Sequence, residues 1–277
     1  MSVSAMILTY NEEMNLRLCL ESLKWCDDVV VIDSFSTDQT ENIATEAGAR
    51  FYRHEFEGFA GQRNFGLREI SYKHPWVLMI DADETVPNTL AEEIASKISH
   101  CDPKVCLFKM RRKDHLLGRW IKRSSGYPTW FDRLARVGRV WGMPRGHGEE
   151  YHTDGAVELL EHCLHHYPFN KGFAAWLEKH NRYSSAEAEL AIQQAPSPWT
   201  ISDLWTSDPV RRRKALKAIA YALPARPLLM FSALYFFRGG ILEGQAGLTF
   251  CVLRAFYEFM IDSKIREMRR RQQHLPV

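Results

Sequence analysis

The 277-residue chain has no uninterrupted apolar run of the ~18–20 residues that a membrane-spanning helix requires. The nearest approach is Pro227 to Phe237, which Arg226 and Arg238 bracket. Its six cysteines, Cys19, Cys26, Cys101, Cys106, Cys163 and Cys251, form no C-x-x-C pair and no compact ligand set. They read as reduced thiols of a cytosolic compartment, and no Cys/His spacing fits a structural zinc site. The opening stretch MSVSAMILTYNEE lacks a basic n-region, so it is expected to be a first β-strand and no secretory signal. Internal repeats and low-complexity tracts are missing as well.

What is present is the composition of an ordered globular protein, 45% hydrophobic and 25% charged. The overall charge of +2 conceals an asymmetry. Pro209 to Val277 holds 13 Lys/Arg against 4 Asp/Glu, a net +9, which leaves −7 for the preceding residues. A tail of that charge is expected to meet something acidic.

Strand and helix patterns alternate through the first hundred residues. Val3 to Leu8, Val29 to Ile32, Ala49 to Tyr52 and Trp76 to Ile80 read as strands, with helical segments between them. That alternation predicts an α/β fold with a mostly parallel, doubly wound sheet. Ligands of such sheets bind beyond the carboxyl ends of the strands. Polar clusters fall at those ends: Thr9-Tyr10-Asn11-Glu12, Asp33-Ser34, the loop to Arg63, and Asp81-Ala82-Asp83. Lys104 to Tyr167 is less regular and rich in Arg, Trp and Gly, as an acceptor pocket of strands and long loops would be. Lys171 to Gln194 is expected to be helical, with a break at Ala195-Pro196-Ser197-Pro198.

Two carboxylates at i and i+2 where a strand turns into a loop can converge on one hard cation that bridges phosphate oxygens. Asp81 and Asp83 have that spacing, although a solvated acidic turn or a helix cap would show it too. Asp33 also ends a strand, where it can accept from a nucleobase or ribose, or merely shape the turn before Ser36-Thr37-Asp38. Arg63 opens a helix and can meet a base or diphosphate, or lie on the surface.

The strings ILTYNEE, VVVIDSFSTDQT, GQRNFGL and LMIDADE, in that order and spacing, resemble the family-2 inverting glycosyltransferases with a GT-A fold. The branch most similar includes bacterial lipopolysaccharide-core β-glucosyltransferases, and the likeness continues through RLARVGRVWG, HGEEY, LHHYPF and YFFRGGILEGQAG. The resemblance implies that Thr9, Tyr10, Glu12, Asp33 and Arg63 line a nucleotide pocket. Asp81 and Ala82 would lie near the ribose, with Asp81 also near a divalent metal, Mg or Mn. Asp83 would ligate that metal, and His166 would add a metal or diphosphate contact, with His165 as its rival. Two departures stand out. Ser34-Phe35 replaces a common Asp-Gly, and His147-Gly148-Glu149-Glu150 replaces a His-Glu pair. The resemblance puts the catalytic base in that second segment, where Glu149 is chosen over Glu150.

The expectation is a hexosyltransferase acting from a nucleotide-sugar donor, UDP-linked, upon a glycolipid, lipid-linked or lipopolysaccharide acceptor. Residues 1–208 would form the GT-A domain and 209–277 a basic, amphipathic helical appendage. The mixture of aromatics and cations in that appendage predicts peripheral attachment to the cytoplasmic face of the inner membrane. No nucleic-acid reading motif accompanies the charge. A nucleotidyltransferase shares such a sheet but ordinarily shows a Gly-rich phosphate loop, which TYNEE is not. A non-catalytic membrane adaptor with a degenerate site is the other rival.

Overall fold

The computed structural model describes residues 2–145, 148–193, 203, 205, 206, 208, 212 and 225–277. Gly146 and His147, the Ala195-to-Pro198 break, Pro209 and most of the basic run Arg211 to Lys214 lie outside the described residues. The chain forms two compact units, Met1–Trp176 and Leu177–Val277, so the division falls ahead of the expected boundary at 208.

The first unit is built on a nine-stranded mixed sheet. In chain order its first four strands are β1 (Val3–Thr9), β2 (Val29–Asp33), β3 (Arg50–Arg53) and β4 (Trp76–Asp81), all parallel. Strands β1, β2 and β4 are almost continuously apolar because a parallel strand in mid-sheet is covered on both faces. Helices α1 (Leu16–Glu21), α2 (Thr40–Glu46) and α4 (Asn88–His100) cover one face, where Val3, Ala5 and Ile7 meet Leu20, Ala44 and Ile94. Helix α3 (Phe59–Glu69) covers the other, with Leu67 packed among Met6, Ile32 and Met79. A Cβ added at Gly66 would lie 2.0 Å from Met6 Sδ and 2.7 Å from Ile32 Cδ1, so only glycine lets α3 lie this close.

The remaining strands are β5 (Glu84–Thr85), β6 (Val105–Leu116), β7 (Arg119–Trp120), β8 (Trp130–Arg136) and β11 (Ala156–His166). The sheet order is β3-β2-β1-β4-β8-β6-β11-β5, with β7 paired to β6. Strand β8 runs antiparallel to both β4 and β6, and β5 antiparallel to β11, so the sheet is mixed. A separate hairpin, β9 (Val140–Arg145) with β10 (Gly148–Thr153), lies against α3. Asn64 of α3 fixes it, exchanging 2.8 Å bonds with both backbone groups of Gly142.

Behind the first strands, Asp28 ties the loop after α1 to β1 and β3. Its carboxylate accepts from Ser4 Oγ (2.5 Å), Lys73 N (2.8 Å) and Arg50 Nη2 (2.8 Å). Burial pushes this carboxyl up, but those donors outweigh it and hold it below the usual range.

Helix α5 (Gly172–Gln193) begins in the first unit and continues in the second. The second unit contains α6 (Arg226–Ser232), a π-turn (Ala233–Phe237), a 3₁₀ turn (Gly240–Glu243) and α7 (Gly244–Gln272). Buried Arg226 pairs with Glu258 and, at 3.1 Å, with Asp262, tying α6 to α7. Lys264 Nζ donates to Asn181, Ser184 and Ser185, tying α7 to α5 at 2.7–2.8 Å for the side-chain oxygens.

Candidate active site

Parallel pairing sets Thr9 opposite Asp33 and Leu8 opposite Asp81, so the carboxyl ends of β1, β2 and β4 open side by side. Asp33 is buried and acts there as an organiser. Thr9 Oγ1 (2.8 Å), Ser36 N (2.7 Å) and Ser36 Oγ (2.5 Å) all donate to it. Asn11, at φ 52°, donates its N–H to Ser36 Oγ and accepts from Thr37 N, linking the loops after β1 and β2. Tyr10 and Phe35 stand exposed on these loops, and Phe35 holds a left-handed φ of 60°, a region that favours glycine.

Asp81 lies over two guanidinium groups. Arg63 Nη2 donates to Oδ1 at 2.5 Å and Arg133 Nη2 to Oδ2 at 2.8 Å. Burial alone would raise this carboxyl, but Arg133, Arg63 and Arg112 overwhelm it and hold it far below the carboxylate range. Arg63 was expected to face the nucleotide; it is 1% exposed and turned inward, with Nη1 reaching Ile80 O at 3.3 Å. The same pairing commits both oxygens of Asp81, which was expected to approach metal and ribose. A buried guanidinium requires a carboxylate partner, and Asp81 is the one that the strand end supplies. Glu84 completes the support, accepting from Arg133 (2.8 Å), Arg112 (3.3 Å) and Asp81 N (3.0 Å). Ala82 is buried between the two acids.

Asp83 turns the other way. Its Oδ2 lies 3.3 Å from His166 Nε2 at the end of β11, and Tyr167 N donates to its carbonyl at 2.8 Å. His166 Nδ1 is 2.7 Å from Asp114 Oδ1, which Arg112 Nε also reaches at 3.1 Å. Burial and Arg112 push the His166 imidazole down, yet Asp83 and Asp114 outweigh them and raise it. Alternation along β11 sends His165 to the other face, where its ring lies 5.0 Å from that of His115. Glu12 lies beside this group, its carboxylate held by Asn15 (2.8 Å) and Lys171 (2.9 Å), and burial with Asp83 raises its pKa.

Two donors at the Asp83–His166 separation fit one small cation, since ligands about 2.1 Å from an ion at right angles lie about 3 Å apart. A carboxylate behind the far ring nitrogen is the usual companion of a metal-bound histidine, and Asp114 fills that place. Among the described residues no three Asp, Glu, His or Cys side chains converge as a complete ion cage. A cation that takes most of its ligands from phosphates and water needs no such cage.

On the hairpin, Glu149 points toward this cluster. It accepts from Tyr151 OH at 2.9 Å and lies 3.8 Å from Arg63 Nε. Burial raises the Tyr151 phenol, which therefore stays a neutral donor. Glu150, next along the strand, is exposed.

Residues 4–155 match glycosyl transferase family 2. The chain belongs to that family. It is 27% identical over 95% of its length to the lipopolysaccharide core biosynthesis glycosyltransferase LpsC of Rhizobium meliloti, covering 91% of that protein. It is 24% identical to a glycosyltransferase of Rickettsia prowazekii, over 99% of this chain and 89% of that one. Among solved structures, glucosyl-3-phosphoglycerate synthase from Mycobacterium tuberculosis, in complex with Mn2+, UDP and glucosyl-3-phosphoglycerate, aligns at 20% identity and a TM-score of 0.36. That alignment covers 49% of this chain and 57% of that one, so this chain spans little more than half of that structure. The mixed sheet described above is the GT-A-like sheet of the family.

Asp81, Asp83, Asp33 and Arg63 all lie within the residues that match the family. Sequence reasoning gave no role to Glu84, Arg112, Asp114, Arg133 or Tyr151. Glu84 and Arg133 stood inside the quoted strings LMIDADE and, at its first residue, RLARVGRVWG, which was the available signal.

Proposed function

We propose that this family-2 enzyme is an inverting, metal-dependent hexosyltransferase that uses a UDP-linked sugar. Its acceptor is a hydroxyl of a lipopolysaccharide or lipid-linked saccharide, reached at the cytoplasmic face of the inner membrane. The observation that carries this reading is the Asp83–His166–Asp114 array beside the doubly paired Asp81, at the carboxyl ends of the strands. The likeness to a lipopolysaccharide core glycosyltransferase over nearly the whole chain supports the acceptor class.

In this reading Asp83 Oδ2 and His166 Nε2 hold the cation, and Asp114 keeps the proton of His166 on Nδ1. When bound, the divalent ion neutralises charge that develops on the departing diphosphate. Asp81, fixed by Arg63 and Arg133, sets the angle of Asp83. Thr9, Tyr10, Glu12 and Asp33 shape the nucleotide pocket, Tyr10 with its exposed ring and Asp33 by holding the loop. Glu149 takes the proton of the acceptor hydroxyl as that oxygen attacks the anomeric carbon from the side opposite the diphosphate.

Incubation with UDP-, GDP- and ADP-sugars and Mn2+ tests the donor class through release of nucleoside diphosphate. UDP release, at least tenfold above the other nucleotides, is the expected result. Preference for GDP or ADP would reassign the donor, and no release from any donor would favour the non-catalytic adaptor.

A further inference from the structure

Helix α7 has one side that packs and one that does not. Ala246, Gly247, Cys251, Glu258, Ile261 and Ile265 are buried. On the far side stand Leu248, Val252, Phe256, Phe259, Arg266 and Arg270, every one exposed. At about 100° per residue these six fall within an arc of about 80°. The stripe is apolar for its first half and cationic at its end, with Gln245 and Ser263 as its other exposed members. It contains no acidic residue. The acids nearest its edges, Asp262 and Glu267, are held by Arg226 (3.1 Å) and Arg271 (2.6 Å).

Exposed apolar side chains are also found in the turns that lead into α7. Phe236, Phe237, Ile241 and Leu242 are exposed there, Phe237 at 88%, as are Leu228 and Leu229 of α6. The apolar members of the stripe stand in the amino-terminal half of α7, and its cations stand towards the opposite end. No helix among the described residues is long and apolar enough to cross a membrane.

We propose that this stripe is the face by which the protein lies on an anionic lipid surface, with α7 parallel to the bilayer. The inference deepens the membrane-side location given under the proposed function and rests on it. An amphipathic helix in the interface sinks its apolar side to the acyl boundary and meets headgroup charge with its cations. The main competitor for such a stripe is a second copy of the chain. A two-fold pairing sets the same surface against itself. Parallel stripes would place Arg266 and Arg270 against their own copies. Antiparallel stripes in full overlap would press them on Val252 and Leu248. No acid on the stripe answers them in either arrangement, whereas phosphate headgroups answer both.

The test is co-sedimentation of the full chain with phosphatidylcholine vesicles, with and without about one-third phosphatidylglycerol, at low and high salt. The wild-type protein is expected to favour the anionic vesicles and to lose that preference in high salt. The double substitution Phe256→Ser with Phe259→Ser is expected to reduce binding about tenfold or more. Arg266→Gln with Arg270→Gln is expected to remove the preference for phosphatidylglycerol while leaving residual binding. All four positions are exposed, so far-UV circular dichroism and turnover of a soluble nucleotide sugar should match wild type. Those two readouts separate failure of the docking surface from failure of the glycosyltransfer reading. Wild-type protein that stays free of both vesicles at low salt overturns the proposal. So do serine variants that bind as well as wild type. A wild-type dimer that the serine pair dissociates, with no vesicle binding, would assign the stripe to a second copy instead.

Discussion

Asp83→Ala is expected to lower turnover about a thousandfold while the protein remains folded. The side chain of Asp83 is partly open to solvent, and its Oδ2 lies 3.3 Å from His166 Nε2. Its structural contribution to the turn is its carbonyl, which takes Tyr167 N and survives the substitution. On the proposed reading, loss of the carboxylate removes one of two protein donors to a hard cation and leaves the backbone in place. Asp83→Asn should be nearly as poor, since an amide oxygen is a weak ligand for such an ion. Asp81→Asn should fail differently. It leaves the guanidiniums of Arg63 and Arg133 short of one charge in a buried site, so it should also destabilise by about 3 kcal/mol. Steady-state rates and thermal melts measured together separate the two. Full activity of Asp83→Ala in excess chelator would remove the metal from the account.

Glu149→Gln is expected to cost about a hundredfold or more in turnover with UDP affinity preserved. Glutamine keeps the size of the side chain and can still accept from Tyr151 OH, but it has no basicity. Strand alternation along β10 gives Glu149 and Tyr151 one face and Glu150 the other, exposed face. Glu150→Gln should therefore run at close to the wild-type rate. The comparison is made by measuring kcat for both variants beside their UDP affinities. A normal Glu149→Gln with a defective Glu150→Gln would move the base by one residue. Normal rates in both would place it elsewhere.

The parallel half of the sheet was legible in the sequence because its central strands are buried on both faces. VSAMILT, VVVID and WVLMID are continuous apolar runs, and each ends on a polar residue at the site. Helix boundaries were less legible. Helix α1 begins only at Leu16, well after β1 ends at Thr9, because Asn11 at φ 52° first turns the chain across to Ser36. Phe59 begins α3 where a loop was expected, the Gly58 backbone at φ 98° making the entry. The rest of the sheet showed little periodicity, since β6 runs from the covered core into a half-exposed charged stretch, while β11 starts exposed and becomes buried only towards its end.

Candidate site residues were legible as residue types, and their partners were not. Arg63 carries the same letter whether it faces a nucleotide or Asp81, and only the α3–β4 packing decides. The supports of Asp81 and His166 come from Arg133 and Asp114, each 52 residues away along the chain. Nothing in local spacing announces such pairs. His166 and His165 could not be separated by sequence either, and the pleat of β11 is what gives one of them to Asp83.

The central claim is that Asp83 and His166 complete a divalent-cation site together with a nucleoside diphosphate. Calorimetric titration of UDP into the protein, with Mn2+ and then with excess chelator, tests it most directly. The account predicts that Mn2+ strengthens UDP binding about tenfold or more, and that Asp83→Ala abolishes this gain while leaving metal-free binding unchanged. Equal UDP affinity with and without Mn2+ in the wild-type protein would contradict it.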